Sequence, residues 1–408
     1  MIDRRVGNGV RRLWCAITGA CALALVSAAA AAEPVHITFV TPYNPVEMQL
    51  DALIAAFEAQ EPGIRVDYVA GGEEKWQVMA AGGAAPEVGR VNDDYVVDYA
   101  LRGLASPLDA YIRSLPLPGP EEYIPFFWDW PKVNARTYAW IAAITPRMFY
   151  VNVDLFAQAG LSLPPKTWES PEWTWETFLD TAKKLTVDTN GDGNPDVWGT
   201  AIFHDTGAEQ TFAVNNGGPG IYSPDGRRFT LADPAGVEAM QWLADLANVW
   251  RVHPSFEVMD ARGGPIDMFA AGEVAMLFAD LRGRIRQFRE GVGSSFAWAM
   301  RPVPMRVRGI QEGSLDTYVI VPGAAHPEAG FKWLRFLASE TSAEIQARLG
   351  FSVGLKKAWV KQYFLQPDQM PLDQDVIAEA LSYYVPVNKA VRVQEAREIY
   401  RPALREVF

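Results

Sequence analysis

The sequence predicts an α/β fold in two lobes, each lobe a mainly parallel sheet flanked by helices. Short apolar runs with β character alternate with amphipathic helical segments along the chain, and this alternation is typical of parallel sheets. The chain has 408 residues, more than the roughly 250 to 300 at which a single hydrophobic core stops growing. We therefore expect two domains, with the chain passing between them in the stretch Ile141–Gly160.

The first 32 residues have the pattern of a secretory signal peptide. Four arginines precede an apolar run from Leu13 to Val26, and the alanines at 28–32 form a small-residue cleavage site. We therefore expect export across the cytoplasmic membrane to the periplasm, with cleavage after residue 32. Lipidation at Cys21 is the weaker alternative, because Thr18 stands where a lipoprotein signal has an aliphatic residue.

The charge and cysteine content of the exported chain disfavour several functions. Both cysteines, Cys15 and Cys21, lie in the predicted signal peptide, which leaves neither a disulfide nor a thiolate site. Without the four Arg and one Asp of that peptide, 33 basic and 48 acidic residues remain, a formal charge of −15. A negative charge of this size disfavours nucleic acid and anionic membrane surfaces as partners.

The N-terminal segments of the exported chain predict a right-handed βαβ unit. Residues 36–40 form a short apolar strand, and Asn44 is a natural N-cap for the amphipathic helix that follows. Pro62-Gly63 ends that helix, and residues 64–69 alternate as a second strand. Ligands of parallel sheets bind at the carboxyl ends of strands, so residues 41–44 are the first site candidate.

Two more features of the first half bear on the site. A helix over residues 73–81 ends at Gly82-Gly83, and the strand after it leads into Asn92-Asp93-Asp94, a second strand end. The stretch 141–160 predicts two strands with a break at Thr145-Pro146, where the proline limits φ. Arg147 follows that break as either a ligand contact or one partner of an ion pair between lobes, and we favour the ion pair.

The segment 188–196, DTNGDGNPD, matches the first half of an EF-hand-type calcium loop. Gly193 stands at the sixth position, but Gly199 occupies the twelfth, where a bidentate glutamate is needed. A self-capped turn is therefore the favoured interpretation, with bound calcium as the alternative. The calcium ligands would be Asp188, Asn190, Asp192 and Asp196.

Seven segments, taken in this order, resemble the extracytoplasmic carbohydrate-binding proteins of ABC importers, the group that includes maltose-binding protein. They are HITFVTPYNPVEMQLDALIAAFEAQEPGIRVDYV, AAGGAAPEV with NDDY, GLASPLDAYI, MFYVNVDLFAQAGLSLPPKTWE, DTNGDGNPDVWG, AGEVAMLFADLRGR and PEAGFKWLRFLASE. The resemblance covers essentially the whole exported chain and implies the type II periplasmic-binding-protein fold. Lobe one would comprise residues 33–143 plus 314–357 and lobe two 146–311 plus 358–408, with hinge crossings near 144–146 and 311–314.

The resemblance also implies a function. Such a protein captures a sugar or small oligosaccharide between lobes that close on it, and delivers it to the membrane-embedded permease subunits of an ABC transporter. It is monomeric, breaks no bond of the sugar, and needs no cofactor.

On lobe one, the resemblance places ligand contacts on loops that leave strand ends. Tyr43 can stack on a sugar or cover the first helix, and Glu47 can accept sugar hydroxyls or cap its own helix. Trp76 can be a stacking platform or a core residue. Of Asp93 and Asp94, one carboxylate can bind a diol while the other caps the next helix, and we favour Asp93 as the ligand contact.

On lobe two, the resemblance places contacts at two further strand ends. Asn152 matches the family's Tyr-Asn element, although its amide can instead cap the helix that follows. A second group of candidates contains His204, Asp205, Phe212 and Asn215, of which at least one is expected to reach the ligand.

The loop after residue 278 departs from the family, which frequently has an aromatic residue after a glycine there. Asp280 and Arg282 stand in this loop, and the departure leaves open an acidic or phosphorylated sugar read by Arg282. The alternative, which we favour, is a solvated helix face of Arg282, Arg284, Arg286 and Arg289. On the second crossing, the candidates are Ser314, Asp316 and Tyr318.

Two other functions compete with sugar capture. A secreted glycosidase needs two carboxyls about 5 to 9.5 Å apart, and Asp93-Asp94 are adjacent and point apart. The chain has four histidines, none at the HExxH spacing, and no Ser-His-Asp elbow. An importer receptor for a polyol, a sugar phosphate or another non-sugar solute would keep the fold and change only the pocket.

Overall fold

The computed structural model describes residues 33–202, 206–310 and 312–408. The predicted signal peptide with Cys21, the site candidates His204 and Asp205, and Gln311 in the second predicted hinge crossing lie outside the described residues. None of the described helices combines the length and hydropathy needed to cross a membrane.

The described residues contain ten strands. They are β1 (Val35–Thr41), β2 (Ile64–Ala70), β3 (Val88–Val91), β4 (Lys132–Val133), β5 (Arg136–Thr137), β6 (Trp140–Asn152), β7 (Ala201–Ile202), β8 (Met276–Asp280), β9 (Trp298–Arg301) and β10 (Gly313–Ile320).

The same residues contain sixteen α-helical segments. They are α1 (Leu50–Gln60), α2 (Glu73–Ala81), α3 (Val96–Leu101), α4 (Asp109–Ser114), α5 (Val153–Gln158), α6 (Trp175–Leu185), α7 (Thr206–Asn215), α8 (Pro234–Asn248), α9 (Phe256–Ala261), α10 (Pro265–Ala270), α11 (Arg284–Gly291), α12 (Pro327–Leu337), α13 (Glu340–Ala347), α14 (Lys357–Trp359), α15 (Asp375–Ala380) and α16 (Val393–Val407). Two 3₁₀ turns lie at Asp93–Tyr95 and Pro120–Glu122, and a π-helical turn lies at Val360–Phe364.

Eight of the strands form one sheet in the order β2-β1-β3-β10-β6-β8-β7, with β9 also paired to β6. The pairs β1–β2, β1–β3 and β7–β8 are parallel, as the βα alternation predicts. The pairs of β6 and β10 with their neighbours are antiparallel, so the sheet is mixed rather than mainly parallel. The α/β class is confirmed, with both strand directions in one sheet.

Strand β6 joins the two halves of this sheet. Its first half pairs with β10 up to the register Pro146–Gly313, and its second half pairs with β8 and β9 from Arg147 onward. The predicted break at Thr145-Pro146 is therefore wrong, because β6 runs without interruption for 13 residues. Proline is tolerated here because the partner strand changes at Pro146, whose carbonyl accepts a hydrogen bond from the Leu281 N–H at 2.8 Å.

The helices pack by the periodicity that the sequence shows. In α6, Phe178, Ala182 and Leu185 are buried at helical spacing, while Thr174 and Thr177 form a reciprocal capping box at the N-terminus.

One cluster of buried apolar side chains includes Phe39, Trp76, Tyr150 and Trp333, and a second surrounds Phe149, Phe178 and Phe212. Phe149 and Tyr150 lie in different clusters because successive residues of a strand face opposite sides of the sheet.

Candidate functional site

A group of charged and aromatic side chains lies where β6 and β10 join the two halves of the sheet. It consists of Tyr43 after β1, Arg90 in β3, Thr145 in β6, Arg282 after β8, Asp316 in β10 and Phe351 after α13. We call this group the Asp316 cluster. Because Arg282 follows β8 while Asp316 and Tyr43 belong with β10 and β1, the cluster joins side chains from both halves.

Asp316 is the centre of the cluster. Its Oδ1 accepts a hydrogen bond from the Tyr43 hydroxyl at 2.7 Å, and Nη1 of Arg282 lies 2.6 Å from the same oxygen. Nη2 of Arg282 donates to Thr145 Oγ1 at 3.3 Å, and Nε of Arg90 donates to the Tyr43 hydroxyl at 3.1 Å. The Tyr43 hydroxyl therefore joins Arg90 to Asp316, and Arg282 contacts the same carboxylate oxygen.

Aromatic rings form one wall of the cluster. The Cζ of Arg282 lies 4.3 Å from the centre of the Tyr43 ring and 5.8 Å from that of Phe351. The two rings meet edge to face with centroids 5.6 Å apart. Guanidinium groups are attracted to aromatic faces at such distances.

The charges of the cluster balance. Arg90 also lies 3.4 Å from the carboxylate of Glu73, so two arginines face two carboxylates. The side chain of Asp316 is 3% exposed and that of Arg282 is 17% exposed, so these charges have little access to water. Buried charges need such partners, because an isolated ion in the interior is costly.

The surroundings of Tyr43 and Arg282 shift the pKa values of both side chains. Burial raises the pKa of Tyr43 to about 12, although Arg282 and Arg90 act to lower it, so its hydroxyl remains a donor at neutral pH. Burial acts to lower the pKa of Arg282, but Asp316 and Tyr43 raise it more, and the group stays charged. The cluster thus contains charged donors, a carboxylate acceptor and aromatic rings.

Three residues predicted from different parts of the sequence, Tyr43, Arg282 and Asp316, come together in this cluster. Arg282 does not belong to a solvated helix face, because it precedes α11 and contacts Asp316. The other arginines of that predicted face also have partners: Arg284 contacts Asp280 and Gln287, Arg286 contacts Glu290, and Arg289 contacts Gln366, which is distant in sequence.

Three further predicted residues lie around the cluster. Glu47 is exposed and faces Gly283, since a Cβ built at Gly283 would lie 3.9 Å from Glu47 Oε2. Glu47 does not cap α1, because α1 begins at Leu50 and Asn44 caps only the turn before it. Asp280 pairs with Arg284 at 3.3 Å, and Ser314 accepts a hydrogen bond from Arg147 at 3.4 Å.

Asp93 lies beside β10 and supports its backbone. Its Oδ2 accepts the N–H of Leu315 at 3.0 Å, and its Oδ1 accepts the N–H of Asp94 at 3.1 Å. The half-buried side chain therefore positions the strand that carries Asp316. The helix cap predicted for the neighbouring carboxylate is absent, because neither the turn Asp93–Tyr95 nor α3 has a side-chain cap.

Asp94 pairs with Arg397 of α16 instead of capping a helix. Arg397 also donates to the Tyr95 hydroxyl at 3.1 Å, and the N–H of Arg392 donates to Asp98 at 2.8 Å. These contacts attach the start of α16 to the segment that follows β3.

We predict that Asp94 titrates well above an ordinary aspartate. Burial raises its pKa from 3.8 to about 6, with Asp93 also raising it and Arg397 and Arg90 lowering it. Because the folded-state pKa is raised, the stability that Asp94 contributes is present below about pH 4 and is lost as the pH rises through about 6. In a carboxyl-carbon NMR titration, one resonance absent from Asp94→Asn should have a midpoint near 6. A midpoint near 4 would contradict this prediction.

Trp76, predicted as a possible stacking platform, is a core residue. It is 1% exposed, packs edge-on against Tyr99, and donates its indole N–H to the Arg90 carbonyl at 2.8 Å. Tyr318 is likewise buried, at 5.4 Å from the Phe39 ring centre. Both side chains point from their elements into the first apolar cluster, so the stacking and cleft roles do not fit them.

Three predicted residues at or beyond the end of β6 also have structural roles. The Asn152 side chain accepts the N–H groups of Asp154 and Leu155 and so caps α5, the alternative that the sequence left open. Phe212 is fully buried in the second apolar cluster. Asn215 is buried, donates to the Pro304 carbonyl at 3.0 Å and accepts the Arg306 N–H at 2.8 Å, so it holds a loop.

Sequence reasoning missed Arg90, Thr145 and Phe351. Arg90 had a usable signal, because a charged residue inside the short apolar strand β3 requires a buried partner. Thr145 was interpreted only as part of a break, and Phe351 follows Gly350 with no local pattern that marks a site.

Arg147 forms the ion pair that we favoured over a ligand contact. Its Nη1 lies 2.8 Å from Glu312 Oε2, and its N–H donates to the Glu312 carbonyl at 2.8 Å. Both side chains are almost completely buried, beside the first register pair of β6 and β10. Gly207 leaves room for this guanidinium, since a Cβ there would overlap it.

The segment 188–196 is held by its own side chains. Asp188 accepts the N–H groups of Gly191 at 2.7 Å and Gly193 at 2.8 Å, and Asp196 accepts that of Thr189 at 2.7 Å. Asn190 and Asp192 each accept the N–H two residues onward at 2.8 Å. Among the residues that the structure describes, no group of three or more His, Cys, Asp or Glu is placed to hold a metal ion.

A separate cavity of about 480 Å³ lies between α12 and the segment before β4. Tyr123, Lys356 and Trp359 line it, and the Lys356 ammonium lies 4.6 Å and 5.0 Å from the centres of the two rings. Lys356 also pairs with Glu122 at 3.0 Å. None of the residues that line this cavity comes from β6, β8 or β10, so the Asp316 cluster, which joins both halves of the sheet, is the better candidate for binding a solute.

The family model for bacterial extracellular solute-binding proteins matches residues 45–344 of the chain, which is more than half of it. The chain belongs to this family. It is therefore a solute-binding protein, and its family is one of binding proteins rather than enzymes. The sequence resemblance is confirmed at this level.

Individual relatives of this solute-binding protein are distant. A binding protein of Brucella abortus (strain 2308) is 26% identical over 340 residues, which cover 80% of this chain and 77% of the relative. The cycloalternan complex of the ABC substrate-binding protein Lmo0181 from Listeria monocytogenes aligns with a TM-score of 0.78 at 24% identity, over 92% of this chain and 94% of that one. UgpB from Mycobacterium tuberculosis, in complex with glycerophosphocholine, aligns with a TM-score of 0.71 at 16% identity, over 92% and 93%. These structures establish the two-lobed fold.

Proposed function

We propose that this solute-binding protein captures a neutral sugar or small oligosaccharide at the Asp316 cluster. The observation that carries the proposal is the charge-balanced set of donors, acceptor and aromatic faces that joins both halves of the sheet. Sugar hydroxyls need donors and acceptors together, and the apolar faces of sugar rings suit aromatic side chains. An anionic solute would leave this balanced site with excess negative charge.

Capture proceeds by lobe closure. Lobe one comprises residues 33–143 plus 314–357, lobe two comprises 146–311 plus 358–408, and the hinge crossings lie near 144–146 and 311–314. The continuity of β6 and its pairing with β10 support a crossing at Pro146. A ligand that contacts both Asp316 and the loop after β8 binds better when the lobes are closed, and this difference in affinity drives closure.

Delivery to the permease subunits of an ABC importer follows from the same proposal. The predicted signal peptide, the family and the importer protein among the structural relatives support an extracytoplasmic, periplasmic site of action. Release of a captured solute to a membrane partner requires no bond cleavage, so catalysis is not part of the function.

A phosphodiester or sugar phosphate is the second candidate ligand. Two guanidinium groups, those of Arg90 and Arg282, flank the hydroxyl and ring of Tyr43. The relative from Mycobacterium tuberculosis is bound to glycerophosphocholine. This candidate is weaker because Glu73 and Asp316 already neutralise both arginines.

A thermal-shift screen tests the proposed function. Mono- to tetrasaccharides, polyols, sugar phosphates and glycerophosphocholine are added separately at millimolar concentration. A ligand at 100 times its dissociation constant stabilises the folded protein by about 2.7 kcal/mol, a clear shift in melting temperature. We expect a neutral saccharide to give the largest shift. Stabilisation by phosphorylated compounds alone would contradict the neutral ligand, and release of reducing ends would contradict a binding function.

A further inference from the structure

Arg282 occupies the Asp316 cluster in the way that a bound solute would. Its side chain extends from the loop after β8 into the space between Tyr43, Phe351 and Asp316. The Cζ lies 4.3 Å from the centre of the Tyr43 ring, and a planar group at that distance covers the ring face. While Arg282 stays there, a sugar ring cannot stack on that face.

The contacts that hold Arg282 are incomplete. Its Nη1 lies 2.6 Å from Asp316 Oδ1 but is not aligned with that oxygen as a hydrogen-bond donor. The same oxygen already accepts the Tyr43 hydroxyl, and the bond from Nη2 to Thr145 is long at 3.3 Å. A well-held guanidinium makes two parallel hydrogen bonds to a carboxylate. A hydroxyl of a ligand can therefore replace Arg282 as the donor to Asp316.

A second carboxylate lies where a displaced Arg282 can reach it. Glu47 is exposed and its Oε2 faces Gly283, the next residue along the chain. Across the described ranges, the Glu47 carboxylate has neither a hydrogen bond nor an ion pair. An arginine that leaves Asp316 can thus pair with Glu47 at the edge of the cluster.

We propose that Arg282 is an internal competitor of the ligand, filling the Tyr43–Phe351–Asp316 box until a ligand displaces it. The inference rests on the proposed function for the chemical class of that ligand, and it adds how the site is regulated. The sugar ring takes the Tyr43 face, its hydroxyls donate to Asp316, and Arg282 moves to Glu47. The loop after β8 lacks the aromatic residue that the family frequently has there, and on this proposal Arg282 covers the site instead.

The proposal predicts the direction of a change in affinity. Apparent affinity is reduced by the fraction of molecules in which the site is accessible. If Arg282 fills the box about nine-tenths of the time, its removal tightens binding roughly tenfold. A residue that contacts the ligand directly would have the opposite effect.

The first experiment is isothermal titration with the saccharide that gives the largest thermal shift. Wild type is compared with Arg282→Ala and with a control, Arg284→Ala. The control also removes one arginine, which is two residues further along the chain and pairs with Asp280. We expect about tenfold tighter binding for Arg282→Ala and unchanged binding for Arg284→Ala. Unchanged or weaker binding by Arg282→Ala would overturn the proposal. Arg282→Gln serves the same comparison if the alanine variant does not fold.

The second experiment uses methylguanidinium chloride and needs no sugar. At tens of millimolar, with equal sodium chloride as the reference, it should raise the melting temperature of Arg282→Ala but not of wild type or Arg284→Ala. Absence of that shift in Arg282→Ala would overturn the proposal. If no saccharide binds any variant, the proposed function fails, and the methylguanidinium result still decides whether Arg282 fills a displaceable box.

Discussion

Replacing Asp316 by asparagine is expected to abolish saccharide binding and to destabilise the protein. Asp316 is the carboxylate that faces Arg282 and the Tyr43 hydroxyl, and its side chain is 3% exposed. Its removal leaves the buried charge of Arg282 without this partner, which costs about 3 to 5 kcal/mol. Urea unfolding measures the loss of stability, and isothermal titration at a temperature where the variant is folded measures the loss of binding.

Two controls make the Asp316 prediction specific. Glu290→Gln removes a largely exposed carboxylate from a pair with Arg286, and should cost no more than about 1 kcal/mol. Adding Arg282→Gln to Asp316→Asn removes both partners and should restore much of the lost stability, since the cost comes from the unpaired charge. Full saccharide affinity in Asp316→Asn would remove Asp316 from the site.

Replacing Arg147 by methionine is the second change with a large expected effect. The pair with Glu312 is 2.8 Å long and both side chains are almost completely buried. Loss of the guanidinium leaves the Glu312 carboxylate buried without this partner, at a cost of about 3 to 5 kcal/mol in unfolding free energy. Because the pair lies where β6 and β10 meet, we also expect weaker saccharide binding through altered lobe closure.

Matched variants test the Arg147 prediction as well. Arg306→Met removes an arginine from exposed pairs with Glu176 and Glu238, and should change stability by no more than about 1 kcal/mol. The double variant Arg147→Met with Glu312→Gln should recover part of the loss, because neither charge then remains. A loss below about 1 kcal/mol for Arg147→Met would show that this pair does not stabilise the crossing.

Local sequence patterns predicted many elements because local interactions determine them. The α2 bounds Glu73–Ala81 match the prediction, since Gly82-Gly83 ends the helix. The β1–α1–β2 unit is present with parallel strands, although α1 begins only at Leu50. The antiparallel pairing of β6 with β10 could not be predicted from local patterns, because these two strands are more than 150 residues apart in the sequence.

The site was partly predictable for the same reason. Tyr43 and Arg282 stood out as residues near strand ends and Asp316 as a residue of the second predicted crossing, and the fold brings the three together. The sequence could not show which way a side chain faces, so Trp76 and Phe212 were kept as candidates although both are core residues. Arg90 was missed because its partners Tyr43 and Glu73 come from two other elements.

A crystal structure with the most stabilising saccharide shows directly whether the Asp316 cluster is the binding site. We expect ligand density between Asp316 and the loop 280–283, with a sugar ring on the face of Tyr43 that Arg282 otherwise covers. Density instead in the cavity of about 480 Å³ beside Lys356 and Trp359, with the Asp316 cluster unchanged, would contradict it.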